Sequence, residues 1–151
     1  MDQKTNHNKT GSNSVNGIDL SFLEQITQNL QEGFFVLDCD GNLIFINSEG
    51  ERLLGWTMAE LSGKNMHEQI HYQTPQGIKI PASECPVQKS LISGQTYHVK
   101  EEAFIHHDGH VIPVTFTATP IVQDGKITCS VTTFQDLFKR KQVEREIKQA
   151  S

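Results

Sequence analysis

The stretch GFFVLDCDGNLIFINSEGERLLGW, residues 33–56, decides the fold of this chain. It contains two short apolar runs, residues 34–37 and 43–46, separated by the pair Asp40-Gly41. The runs are rich in β-branched and aromatic residues, and an Asp-Gly pair accepts the positive φ angles of a tight primed turn. The stretch therefore predicts a β-hairpin, which is the first part of a sheet.

Three copies of a Ser/Thr-x-x-Glu capping box predict the starts of short helices. In such a box the hydroxyl and the carboxylate each accept a hydrogen bond from the other residue's backbone N–H. The boxes begin at Ser21, Ser48 and Thr57, and a glycine follows each predicted helix. The first box belongs to an N-terminal amphipathic helix predicted over residues 20–32, before the hairpin.

The second half of the chain predicts one more helix and then three strands. Ser83 is a candidate N-cap for a helix that runs to Ile92. Residues 97–106, 111–121 and 127–134 are β-rich runs separated by two further Asp-Gly turns, which is typical of an antiparallel meander. Together with the hairpin they predict an α+β domain with a five-stranded antiparallel sheet.

Length, charge and cysteine content restrict the class of protein. The 151 residues suffice for one domain with a single core. A net charge of −5 argues against direct binding of nucleic acid. No stretch approaches the roughly 18 apolar residues of a membrane span, so we expect no membrane insertion. Three cysteines without C-x-x-C spacing indicate neither a disulfide framework nor a structural zinc site, and we expect a cytoplasmic protein.

The two ends of the chain differ in composition from its middle. Residues 1–17 hold almost no large apolar side chain, and we expect a disordered leader there. The folded domain is expected over residues 18–135. Residues 136–151 are rich in Lys, Arg, Glu and Gln, which are good helix formers. We interpret this segment as the start of a signalling helix or linker that continues in a longer chain.

The order and spacing of several short motifs resemble the PAS domain family of bacterial sensory proteins. The motifs are Gly33-Phe34-Phe35-Val36-Leu37-Asp38 with Asp40-Gly41, Ile46-Asn47 with Leu54-Gly55-Trp56, Glu60-Leu61 with Gly63-Lys64, Glu84-Cys85-Pro86, Asp108-Gly109, Val114, and Phe134-Gln135-Asp136. The resemblance covers about residues 21–145. It implies a PAS fold with strand order 2-1-5-4-3, in which short helices cover one face of the sheet and leave a cleft.

The resemblance also implies a function. PAS domains serve as input modules of histidine kinases, transcriptional activators and cyclic-dinucleotide enzymes. We therefore expect a sensor of a small ligand or redox state that signals to an output domain outside this chain. A ligand-free dimerisation domain is the alternative. The family usually ends its last strand in Asp-Ile-Thr, where this chain has Asp136, Leu137 and Phe138, and we expect these three residues to transmit the signal.

The terminal helices predict a homodimer. An isolated helix as short as residues 136–150 is marginal in water, so it needs a partner. The N-terminal helix, with Phe22, Leu23, Ile26 and Leu30 at helical spacing, is the other candidate dimer surface.

Residues His67-Glu68-Gln69-Ile70-His71 fit the H-E-x-x-H pattern of zinc hydrolases, in which two histidines hold the metal and the glutamate activates water. A hydrolase is a remote alternative, because it also needs a third ligand and a long, rigid helix. His67 or His71 is likewise a candidate axial ligand of haem. The simplest interpretation is two polar side chains on a short helix near the cleft. We assign no catalytic residue and no metal ligand.

The sequence leaves the ligand of the cleft open between haem, flavin, a small metabolite and no ligand at all. The Asn-Cys-Arg-Phe motif of light-sensing relatives is absent from the sequence, which argues against a flavin photoadduct. Further candidate cofactor-contacting positions lie on the strands, where they are also compatible with plain core packing: Phe45, Phe116, Cys129 and Val131.

Two smaller groups have both a functional and an ordinary interpretation. Cys85, at a predicted helix start, is either a redox thiol with a lowered pKa or a packed core residue. His106, His107 and His110 flank an Asp-Gly turn, where they either form a surface metal site or are simply solvated.

Overall fold

The computed structural model describes residues 14–15 and 17–150. Most of the expected leader, residues 1–17, lies outside this part of the chain. Ser14–Val15 (β1) pairs antiparallel with Ile18–Asp19 (β2). Regular pairing therefore begins a few residues before position 18, where we expected the domain to start.

One mixed α+β unit follows. The strands of the main sheet are Gly33–Leu37 (β3), Leu43–Ile46 (β4), Tyr97–Ile105 (β5), Val111–Gln123 (β6) and Lys126–Asp136 (β7). The helices are Leu20–Thr27 (α1), Ser48–Leu54 (α2), Met58–Leu61 (α3), Met66–Ile70 (α4), Pro86–Ser93 (α5) and Leu137–Ala150 (α6), with a 3-10 turn at Ala82–Glu84. All sheet pairings are antiparallel, in the spatial order β4-β3-β7-β6-β5. The predicted fold class and strand order are confirmed.

The two faces of the sheet pack against different parts of the chain. On one face, Phe35, Phe104 and Phe134 pack with residues of the short helices α2 to α5 in the main core. On the other face, Val36 and Phe45 pack against the N-terminal segment that includes α1. This division follows from the pleat, because successive side chains of a strand point to opposite faces.

The turns differ in part from the prediction. The prediction of a primed turn at Asp40-Gly41 is wrong. Gly41 has a positive φ of 84°, but Asp40 does not. The Asp38 carboxylate instead accepts the N–H groups of Asp40 and Asn42, at 2.9 and 3.0 Å. At the β6–β7 turn, Asp124 and Gly125 both have positive φ, 52° and 77°, as a primed turn requires.

Two of the three predicted capping boxes are wrong by one or two residues. The Asp19 side chain, not that of Ser21, caps α1, and the Asn47 side chain, not that of Ser48, caps α2. The box at Thr57 is confirmed, since its hydroxyl and the Glu60 carboxylate exchange backbone hydrogen bonds.

Two helix bounds also differ from the prediction. The first helix ends at Thr27 rather than at residue 32, and the Thr27 hydroxyl donates back to the Leu23 carbonyl over 2.7 Å. The helix predicted from Ser83 begins only at Pro86, which lacks an N–H and suits the first helical position. The preceding residue, Cys85, makes no side-chain cap.

Candidate functional site

A small cavity lies between the sheet and the helices, where the resemblance implies a cleft. Its lining is formed by Phe35, Met66, His67, Ile70, His71, Cys85, Val87, Gln88 and Phe104. The volume open to the centre of a water molecule is about 10 Å³, which is the space needed by one water. In this conformation the site has room for a single water or ion.

His67 and His71 enter the cavity from α4 and its C-terminal end. The N-cap of the helix is Asn65, whose side chain accepts the Glu68 N–H over 3.1 Å. The N–H of His71 bonds to the carbonyl of His67, and the two ring centroids are 5.9 Å apart. Both side chains are buried, with exposed fractions of 7% and 2%. The i, i+4 spacing thus places both imidazoles inside the protein.

The His67 ring is oriented by the backbone of the segment between α4 and α5. Its Nε2 lies 2.8 Å from the carbonyl oxygen of Ile80. A carbonyl only accepts hydrogen bonds, so Nε2 carries the proton and donates it. In the neutral ring Nδ1 is then an acceptor, and this atom is buried without a hydrogen-bond partner.

The His71 ring lies between a thiol and a carboxylate. Its Nδ1 is 3.2 Å from Sγ of Cys85, and its Nε2 is 3.6 Å from the Glu102 carboxylate. Burial, together with the neighbouring His67, lowers the pKa of His71 to about 4. Burial also raises the pKa of Glu102. His71 is therefore neutral at pH 7, and its contact with Glu102 is not an ion pair.

Cys85 is a packed thiol of the cavity wall. It is 1% exposed, and burial raises the pKa of its thiol. The lowered pKa on which the redox interpretation depended is therefore wrong, because desolvation outweighs the N–H groups at the start of α5.

The structure separates the candidate cofactor-contacting residues into two groups. The Phe116 ring packs against His71, with centroids 5.7 Å apart, in the main core. Phe45, Cys129 and Val131 lie on the opposite face of the sheet, in the cluster with α1, and do not reach the cavity. The alternation predicted for β6 is confirmed, but the sequence does not say which of the two faces of the sheet carries the cavity.

Sequence reasoning missed residues of β5 that complete the site. Phe104 packs edge-on against His71, with ring centroids 5.5 Å apart, and the Glu102 carboxylate lies 3.6 Å from Nε2 of the same ring. Three consecutive residues at the end of β5 are buried: Ala103, Phe104 and Ile105. They interrupt the two-residue alternation that would have shown which of these side chains faces the cavity.

An aromatic cluster connects the cavity to the last strand. Phe104 stacks on Phe116, with centroids 5.3 Å apart, and contacts Phe134 edge-on at 5.2 Å. The Phe134 ring lies directly over Gly33, where an added Cβ would come within 2.3 Å of the ring. The cluster therefore reaches β7 two residues before its end.

The junction between β7 and α6 is formed by Asp136. Its carboxylate accepts the N–H groups of Phe138 and Lys139, at 2.8 and 3.3 Å, and so caps the helix that begins at Leu137. The Phe138 side chain is 64% exposed.

The H-E-x-x-H pattern does not form the arrangement of a zinc hydrolase. Glu68 is exposed, while His67 and His71 are buried, so the carboxylate is not placed to activate a water on an ion between them. The helix is only five residues long. The third side chain that approaches the histidine pair is Cys85, which is fourteen residues from His71 in the sequence.

The hairpin tip between β5 and β6 carries a separate, exposed cluster. The Asp108 carboxylate contacts Nδ1 of His110 over 2.5 Å, and the rings of His106 and His110 stack with centroids 4.4 Å apart. Hydrogen bonds from the backbone and side chain of His110 hold the pKa of Asp108 below its usual value. His107 packs against Trp56 instead. These contacts within the protein explain the arrangement of the side chains at the tip.

The sheet order, the helical layer on one face and the buried cavity define a class of small α+β domains. The sequence profile of the PAS fold matches residues 21–137, well over half of the chain. The chain belongs to the PAS fold family. A comparison with curated proteins finds no match.

Solved structures support the same assignment. A PAS domain of an HTR-like protein from Haloarcula marismortui aligns with a TM-score of 0.60 at 21% identity, over 77% of this chain and 95% of that one. The PAS domain of nitrogen regulation protein NR(II) from Vibrio parahaemolyticus aligns with a TM-score of 0.58 at 16% identity, over 76% of this chain and 96% of that one. The LOV domain of a blue-light activated histidine kinase from Erythrobacter litoralis aligns with a TM-score of 0.59 at 20% identity, over 72% of this chain and 98% of that one. At these identities the likeness establishes the fold alone.

None of the helices within residues 14–15 and 17–150 combines the length and apolar character needed to cross a membrane.

Proposed function

We propose that this chain is the sensory input module of a larger signalling protein, in which a change at the buried cavity is passed to an output domain through α6. The observation that carries the proposal is the continuous set of contacts from His71 through Phe104 to Phe134. That contact path ends two residues before Asp136, which caps α6. Structural neighbours that are domains of histidine kinases support an output of that kind.

The transmitting element is a change in packing at the end of β7. A change in the position of His71 alters the packing of Phe104, and Phe134 has no free space to absorb it, because it is 1% exposed and lies over Gly33. Densely packed cores respond by switching between discrete arrangements rather than by continuous deformation. The signal then appears as a population shift at Asp136, Leu137 and Phe138.

The size of the cavity bears on the choice of ligand. Haem and flavin are far larger than the one-water space between the sheet and the helices, so neither fits unless α4 and the segment after it move outward. A ligand-free dimerisation domain is the second candidate, and the nearly filled cavity favours it. The buried, unpartnered nitrogens of the two histidines favour a ligand instead, because such groups normally have partners.

Hydrogen exchange on the whole chain tests the transmission. Phe104→Leu alters the path, while Phe45→Leu removes a similarly buried ring from the other face of the sheet. The two variants are compared under conditions in which both have lost the same global stability. Phe104→Leu is then expected to accelerate amide hydrogen exchange over residues 134–148, and Phe45→Leu is not. Equal acceleration by both variants would contradict the proposed path.

A homodimer through the terminal helices is part of the proposal. On α1 and the residues after it, Phe22, Ile26 and Leu30 are exposed by 58%, 54% and 42%. On α6, Phe138 and Ile147 are each 64% exposed. Exposed apolar side chains in such groups are typical of interaction surfaces.

The three unpaired cysteines support a reducing compartment such as the cytoplasm.

Sedimentation over a range of concentrations tests the dimer. The chain is expected to sediment as a dimer at about 100 μM, a generous limit for weak association. Ile26→Asp and Ile147→Asp, compared as matched variants, identify which helix forms the interface. A monomer at that concentration would contradict the dimer without affecting the transmission proposal.

A further inference from the structure

Three side chains that bind transition metals converge in the cavity. One ligand atom each from His67, His71 and Cys85 lies within 4.8 Å of the other two. We propose that these three residues bind a single divalent transition-metal ion of the zinc type. This inference deepens the proposed function and rests on it, because it names the ligand class of the same cavity.

The distances are close to those of a bound ion. Zinc bonds of about 2.0–2.3 Å in tetrahedral geometry place the ligand atoms roughly 3.3–3.6 Å apart. Nδ1 of His71 and Sγ of Cys85 are already 3.2 Å apart. The ligand atom of His67 therefore has to approach by about 1.5 Å at most.

The two imidazoles are oriented as metal ligands usually are. A metal-binding histidine normally donates its second N–H to a backbone carbonyl or a carboxylate, which fixes the tautomer. His67 donates Nε2–H to the Ile80 carbonyl, and its Nδ1 is buried without a partner. His71 presents Nδ1 to Cys85, while its Nε2 lies 3.6 Å from the Glu102 carboxylate. The supporting acceptor of His67 is thus in place, whereas the Glu102 carboxylate has to move closer to accept the N–H of His71, which has no hydrogen-bond partner in this structure.

The donor set selects the type of ion. Two imidazoles and one thiolate suit zinc and other borderline or soft ions, and they do not suit calcium or magnesium, which prefer oxygen. On binding, the Cys85 sulfur loses its proton to solvent and forms the metal–sulfur bond, with no change in oxidation state. Three protein ligands leave a fourth coordination position open. The cavity has room for the ion alone, so a water at that position requires the cavity wall to move outward.

Metal titration of the whole chain, prepared without a histidine tag, tests the site. Co²⁺ serves as the probe, because cobalt–thiolate bonds absorb in the near ultraviolet. One Co²⁺ per chain is expected to bind with a thiolate band, and Zn²⁺ is expected to displace it. Binding of Co²⁺ without any thiolate band, or no binding at all, would overturn the proposal without the need for a variant.

Variants locate the ion. Cys85→Ser is expected to abolish the thiolate band, and His67→Gln is expected to weaken binding by at least about 100-fold. Glu102→Gln, which alters only the group behind His71, is expected to weaken it by about 10- to 100-fold. Cys129→Ser, a buried cysteine on the other face of the sheet, is the matched control and is expected to change nothing. If Cys129→Ser and not Cys85→Ser removed the band, the assignment of the site would be wrong.

The exposed cluster at the hairpin tip is the competing location. His106, Asp108 and His110 also offer three ligand atoms close together. The double variant His106→Ala, His110→Ala is expected to leave the Co²⁺ spectrum and affinity unchanged, and loss of the ion in that variant would overturn the proposal. Hydrogen exchange over residues 134–148, measured with and without Zn²⁺, reports separately on the proposed function. If the ion binds but hydrogen exchange over these residues does not change, the result would contradict the proposed signalling without contradicting the metal site.

Discussion

The side chain of Asn47 connects three elements, and replacing it should destabilise the whole domain. Its Oδ1 accepts the N–H of Gly50 at 2.8 Å and the N–H of Phe34 at 2.9 Å. Its Nδ2 donates to the carbonyl of Glu32 at 3.1 Å, and more weakly to that of Thr27 at 3.4 Å. The residue is 2% exposed. One amide thus joins the start of α2, the start of β3 and the end of the N-terminal helical segment.

The magnitude follows from these bonds. Loss of a helix N-cap costs about 1 kcal/mol. A buried polar group left without a partner costs about 1–3 kcal/mol more. Asn47→Ala leaves the Phe34 N–H and the Glu32 carbonyl without this partner, and because both bonds are only partly buried we take the lower end, about 1 kcal/mol each. We expect Asn47→Ala to lower the free energy of unfolding by about 3 kcal/mol, or the melting temperature by about 10 °C for a domain of this size.

Urea unfolding monitored by circular dichroism measures the change, with two matched alanine variants as controls. Ser48→Ala removes the exposed hydroxyl that the sequence pattern favoured as the cap, and it is expected to cost less than about 0.5 kcal/mol. Asn65→Ala removes an ordinary N-cap, that of α4, and should cost about 1 kcal/mol. The reasoning is refuted if Asn47→Ala costs no more than Asn65→Ala, or if Ser48→Ala is the more damaging change.

Three further predictions concern other parts of the domain. Gly33→Ala should cost about 1–3 kcal/mol in urea unfolding, because the new Cβ would meet the buried Phe134 ring; an unchanged midpoint would contradict that contact. Asp136→Ala should speed amide exchange at residues 138 and 139, because both N–H groups lose their acceptor, whereas Asp136→Asn should not. Iodoacetamide should alkylate only the exposed Cys39 in the folded chain, and modification of Cys85 or Cys129 before unfolding would contradict the burial of these two thiols.

Much of the fold was predictable because its signals are local. The Thr57 capping box needs only four consecutive residues, and the Asp124-Gly125 turn needs two. The strands of the meander are adjacent in the sequence, so their pairing follows from short connections. Strand β6 alternates buried and less buried residues over most of its length, which fixed its register against its neighbours.

The errors arose where two adjacent polar residues compete for one role. Asn47 and Ser48 are both good N-cap residues, and so, two positions apart, are Asp19 and Ser21. At α2 the choice is decided by the N–H of Phe34, thirteen residues away, which only Asn47 reaches. A capping pattern does not contain that information, because it comes from the packing of β3 against the helix.

The candidate site was predictable only in its first two members. His67 and His71 are related by helical spacing, but Cys85 and Glu102 join them through the packing of α5 and β5 against α4, and no short motif spans those distances. The resulting cluster is unfavourable for the unliganded protein, because a buried polar atom without a partner costs about 1–3 kcal/mol and both rings carry one. An ion that binds only the folded chain would take up Nδ1 of His67, remove that part of the cost and stabilise the domain by mass action. The unpartnered nitrogen of His67 therefore weakens the empty domain and, by our inference, makes its stability depend on the ion that it binds.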